Sequence, residues 1–114
     1  MTKWTWVVAF LALTLQDAVA APDQLLVRRA AEAVRVAYHC PQYRTAAVLK
    51  QALRERNIEL VSPLFAPTWH ESVLRMEDLF ETANSDEKPQ LCETFWTLYG
   101  DVGSVERGWL ELRP

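Results

Sequence analysis

The run YHCPQY, residues 38–43, places His39 beside Cys40, and the only other cysteine of the chain is Cys92. A cysteine next to a histidine is chemically capable of three things: attack as a thiolate, bind a metal, or form half of a disulfide. A nucleophilic thiolate needs a nearby cation or a helix N-terminus to favour the charged form. Cys40 instead falls where helical periodicity is about to end, and the negative end of a helix dipole disfavours a thiolate. A tetrahedral zinc site has His39, Cys40, His70 and Cys92 to draw on. No Cys-x-x-Cys or His-x-x-x-His pair puts two of them on one turn, and His70-Glu71 lacks the second histidine of a zinc-protease helix. The disulfide Cys40–Cys92 is the expectation, with a thiol or metal-dependent use of His39/Cys40 as the alternative. No metal or cofactor is expected, and no catalytic residue is assigned.

A disulfide requires an oxidising compartment, and the N-terminal sequence supplies the route. The chain opens MTKWTWVVAFLALTLQDAVAAP. Lys3 is a short basic start, Trp4 to Leu15 is apolar but for threonines, and Ala18-Val19-Ala20 is the small-x-small pattern of a signal-peptidase site. The apolar run is shorter than the ~20 residues of a membrane-spanning helix. Residues 1–20 are therefore read as a cleaved signal peptide, cut after Ala20 or Ala21, and no transmembrane segment is expected after cleavage. Residues 21–114 are read as a single small helical domain, periplasmic or extracellular.

The elements that would position the two cysteines follow from apolar spacing. Leu26, Ala30, Ala33 and Ala37, widened by Val27, Val34 and Tyr38, predict a helix over 22–38 that Pro41 stops. Tyr43, Ala46, Ala47, Leu49 and Leu53 predict a second over 42–56. Asn57 suits the left-handed residue that ends it, with Ile58 folding back onto its last turn. The proline-bracketed loop LVSPLFAP precedes Thr68-Trp69-His70-Glu71, which reads as a capping box. A third helix then carries Trp69, Val73, Met76, Phe80 and Ala83 inward. Pro89 opens a fourth, with Cys92, Phe95, Trp96 and Tyr99 inward and Gly100 at its end. In the tail, Val105, Trp109 and Leu112 have helical spacing, but Gly108 opposes a helix and leaves a short extended segment as the alternative. The fold class is all-α: a small bundle or orthogonal array of four short helices, five if the tail is helical, stapled by one disulfide.

Charge is divided along the chain. Residues 21–57 carry seven Lys/Arg and three Asp/Glu, whereas residues 58–114 carry four and eleven. Oppositely charged helices that neutralise one another account for this most simply, and two surfaces that steer different partners are the functional alternative. Glu71, Glu77, Asp78 and Glu81 read as a solvated acidic face and not as paired catalytic carboxylates, which need burial to separate their acidities. No basic stripe interleaved with aromatics suggests nucleic acid. The candidate interaction surface is Leu64 and Phe65 in the stiff loop, with Trp109; core packing is the competing role for each.

In layout, with an apolar leader, a short following chain and two distant cysteines, the sequence resembles periplasmic acid-stress chaperones of the HdeA type. The resemblance is one of architecture and implies a function class, with no role for any individual residue. The sequence therefore leads to an exported, non-enzymatic helical protein that binds an unknown protein or envelope component. An acid-responsive periplasmic chaperone and a thiol or metal-dependent protein are the alternatives.

Overall fold

A computed structural model describes residues 22–114, so the leader and its cleavage site lie outside the described residues. The element order is α1 Pro22–His39, β1 Tyr43–Thr45, α2 Ala47–Glu55, α3 Ala66–Thr82, α4 Glu87–Tyr99 and β2 Leu110–Leu112. Among the described residues, four helices and a two-stranded antiparallel sheet make a small, mostly α-helical fold.

Helix α1 is the axis of the core. It begins on Pro22, whose missing N–H costs nothing in a first turn, with Asp23 favouring the positive end of the dipole. Val27, Ala30, Ala31, Ala33, Val36 and Ala37 are buried, and the small alanines let neighbouring backbones approach closely. α3 lies along this helix with Met76 and Phe80 buried, and α4 adds Cys92, Phe95 and Tyr99. Aromatic rings link these helices in a line. His39 stacks on Phe80 at 4.5 Å between centroids, Phe80 on Phe95 at 6.3 Å, Phe95 on Tyr99 at 6.5 Å, and Tyr99 on Trp109 at 6.1 Å. These spacings lie in the range where offset rings attract.

The second predicted helix starts later than its apolar spacing suggests. Tyr43–Thr45 is a strand, and the helix runs only from Ala47 to Glu55. The missing information is long-range: Tyr43 pairs with Leu112, Arg44 with Glu111 and Thr45 with Leu110. The tail is accordingly the extended alternative and not a fifth helix. Turns anchored on Leu98 and Gly100 carry it back across the end of α4, the Gly108 amide donating to the Gly100 carbonyl at 2.7 Å. Gly108 has φ +72°, a conformation that glycine adopts without steric cost.

Two helix boundaries also differ from the sequence reading, while one agrees. The Thr68-to-Glu71 capping box does not form, because α3 starts at Ala66 and Thr68 is already inside it. The Thr68 hydroxyl instead donates to the Gln24 side-chain oxygen on α1. α4 begins at Glu87, two residues before Pro89, through a reciprocal cap. The Asn84 side-chain oxygen accepts from the Glu87 amide at 2.9 Å, and the Glu87 carboxylate accepts from the Asn84 amide at 3.3 Å. Asn57 does take the left-handed conformation, φ 55°, and the Ile58 amide donates back to the Leu53 carbonyl at 3.0 Å.

Candidate functional site

The corner at His39–Cys40 is where the sequence put its chemistry, and the structure closes it. Cys40 follows the last residue of α1, and Cys92 lies in the second turn of α4. Their sulfurs are bonded at 2.09 Å with Cα atoms 5.9 Å apart. Both cysteines are buried, and neither retains a thiol. The pair closes a loop of 52 residues, worth about 4 kcal/mol in the chain-entropy account.

His39 is held by three neighbours. Its Nε2 lies 2.9 Å from Glu77 Oε2, one ring face stacks on Phe80, and Tyr38 meets it edge-on at 5.1 Å. Glu77 also accepts a hydrogen bond from Arg35 through Oε1. Arg35 and His39 are four apart on one face of α1, so a single carboxylate on α3 bridges both. Burial by itself pushes the Glu77 carboxyl up. The hydrogen bonds from Arg35 and His39, with their charge, outweigh that and hold it below its ordinary range. Arg35 additionally lies over the Tyr38 ring at 4.3 Å. Tyr38 itself is exposed, contrary to its expected place on the inner stripe of α1.

A second polar cluster fastens the other side of α1. The Tyr99 hydroxyl donates to Glu32, and Arg29 pairs with Glu106 at 2.9 Å. Burial, then the adjacent Glu32 carboxylate, pushes the pKa of the Tyr99 hydroxyl well above its ordinary value. Both clusters consist of groups satisfied by one another, which is the usual condition for polar groups inside a stable core.

The remaining candidate residues separate. Leu64 is 67 % exposed, whereas Phe65 is 7 % and Trp109 2 % exposed. Of the expected contact surface, Leu64 alone faces solvent; Phe65 lies at the start of α3 in the core, and Trp109 seals the core beneath the tail. Val61, in the same proline-bracketed loop, is also exposed. Beside it, Leu53, Ile58 and Leu60 form an open apolar hollow of about 360 Å³ flanked by Lys50, Arg54 and Glu59. The loop is fixed to α1 through Gln24, which donates to the Leu64 carbonyl at 3.0 Å. His70 is exposed on α3. Among the described residues, no group of three or more histidine, cysteine or acidic side chains is placed to share a metal ion.

The fold and these sites define a class, a disulfide-stapled and mostly helical small domain. No protein-family model, curated protein or solved structure matches the chain.

Proposed function

We propose that this is an exported, non-enzymatic protein, periplasmic or extracellular, that acts by binding another protein or an envelope component. The observation that carries the reading is the exposed Val61–Leu64 segment on a rigid mount. Pro63 and Pro67 stiffen the segment, Gln24 ties it to α1, and an apolar hollow continues from it. A surface ordered in advance loses little freedom when a partner docks. The oxidised Cys40–Cys92 pair supports an oxidising compartment, and no helix among the described residues is long and apolar enough to cross a membrane.

The test is affinity capture of the protein from its own envelope, with thiol status measured on the same sample. A partner recovered with the wild type and lost with Leu64→Asp supports the reading. Hydrolase or redox turnover that disappears on changing one side chain overturns it.

The Glu77 bridge favours a second reading, an acid-responsive chaperone. A carboxyl with a lowered folded-state pKa stabilises the fold above its unfolded value of about 4.3, and that contribution is lost as pH falls through the folded value. Acid would thus loosen α3 from α1 while the basic first half of the chain keeps its charge. Client protection that appears only below about pH 4 supports this reading, and unchanged circular dichroism and size at that pH rule it out.

A further inference from the structure

The two-stranded sheet leaves one edge open, and the hydrogen-bond pattern identifies which groups it presents. Ala46 N–H donates to the Trp109 carbonyl and Arg113 N–H to the Gln42 carbonyl, each at 2.9 Å. Residues 46/109 and 42/113 are therefore the hydrogen-bonded pairs of the ladder, and Tyr43/Leu112 and Thr45/Leu110 are the intervening pairs. The amide and carbonyl of Leu110 and Leu112 consequently point away from β1. None of these four groups has a hydrogen-bond partner among the described residues. On β1 the outward groups of Tyr43 are satisfied, its amide by the Cys40 carbonyl and its carbonyl by Arg113 Nε, while those of Thr45 have no hydrogen-bond partner among the described residues.

The open edge borders an apolar hollow of about 420 Å³, lined by Trp96, Asp101, Gly108 and β2 itself. Leu112 is 62 % exposed beside it, while Leu110 is fully buried. Unpaired strand edges are templates for another strand, and native proteins generally blunt them with charge, bulges or cover. Leu110 has no exposed surface, so the outward groups open to a partner strand are those of Leu112.

We propose that β2 pairs with β2 of a second copy of this chain, antiparallel, to make a four-stranded sheet across a two-fold axis. Charge complementarity selects both the occupant and the register. With Leu112 opposite Leu112 of the second copy, Glu111 falls opposite Arg113 of that copy, and the two-fold repeats the pair. Opposite charges facing across strands are favourable. The register one step away, Leu110 opposite Leu112, sets Glu111 against Glu111 and is disfavoured by the same rule. Glu111 already accepts from Arg44 through Oε1 at 2.7 Å, which leaves Oε2 for the second copy. Arg113 donates through Nε to the Tyr43 carbonyl, which faces away from β2, so pairing with the second copy exchanges that contact for the Glu111 carboxylate. The chosen register also hydrogen-bonds Leu112 to its own symmetry mate through both amide and carbonyl. The surface is separate from the Val61–Leu64 segment, so this proposal stands or falls independently of the binding function above.

The test is sedimentation equilibrium of the disulfide-bonded protein, expressed from its full-length sequence, over a concentration series. The wild type moves from monomer toward dimer as concentration rises. Leu112→Pro removes the outward-facing N–H, which β1 does not use, together with the exposed leucine side chain, and is expected to weaken association at least tenfold with circular dichroism unchanged. Glu111→Arg and Arg113→Glu each weaken it at least tenfold, and the two together restore it. The charge cycle decides the matter if the proline variant misfolds. A wild type that stays monomeric throughout overturns the proposal, even if it binds extended peptides at this edge. So does a dimer that is indifferent to Leu112→Pro and to the charge exchange.

Discussion

The two ends of α1 are built to different specifications. At its C-terminal end three groups are engaged within the fold: Cys40 by Cys92, His39 by Glu77 and Phe80, Arg35 by Glu77 and Tyr38. At its N-terminal end the links are neutral or exposed. Gln24 bridges Leu64 and Thr68, Asp23 meets Arg56 at 3.4 Å on the surface, and the adjoining loop shows Val61 and Leu64 to solvent. The difference separates a joint from a display. The His39–Cys40 pair, the sequence's one suggestion of chemistry, holds helices together, and the loop it offers as a contact surface exposes Val61 and Leu64.

Breaking the joint has the largest expected effect. Replacing both Cys40 and Cys92 with alanine is expected to cost about 4 kcal/mol, measured as a fall in ΔG of unfolding by urea titration. Since a domain of this size has only about 5–15 kcal/mol in total, that loss brings it near the margin.

The turn that carries the tail back comes next. A Cβ on Gly103 would lie 2.4 Å from the Glu106 carbonyl oxygen and 2.6 Å from that of Leu98. Both obstacles are backbone and cannot rotate away. Gly103→Ala should destabilise by about 2 kcal/mol through overpacking, and hydrogen exchange should show the loss concentrated in the β1–β2 pair and the turns preceding it.

The carboxylate bridge is smaller because it is partly open to water. Glu77→Gln should cost about 1 kcal/mol at neutral pH. The diagnostic is the pH profile: wild-type stability falls as pH drops below about 4, and the variant loses the part of that slope due to Glu77. An identical acid slope in the two proteins would show that Glu77 does not hold the α1–α3 contact.

The display end should be almost indifferent to substitution in stability. Leu64→Asp is expected to shift ΔG by no more than about 0.5 kcal/mol, as exposed sites usually do. Phe65→Asp, one residue later, buries a carboxylate and should cost several times as much. Comparable losses at the two positions would mean that Leu64 belongs to the core.

How much of this was legible in sequence depends on the range of the interaction. The stripe on α1 and the Asn57–Ile58 stop are local and were readable from spacing. The cysteine pairing needed the leader as well, since two cysteines allow only one internal bridge once oxidation is expected. Tyr43–Thr45 was misread as helix because its strand partner lies almost seventy residues away. The Thr68 cap failed for a similar reason, since Gln24 on another helix claims its hydroxyl. Glu77 was read as one of a solvated acidic row. Its spacing within α3 gave no hint that Arg35 and His39, four apart on α1, would converge on it.

The central claim is that contact is made by the loop and not by the His39–Cys40 corner. A photo-crosslinking amino acid placed at Leu64, and separately at the equally exposed Tyr38, compares the two ends directly in cells that make the protein. The account predicts a discrete adduct from position 64 that excess unlabelled wild-type protein competes away, and none from position 38. An adduct from position 38 with none from position 64 would contradict it.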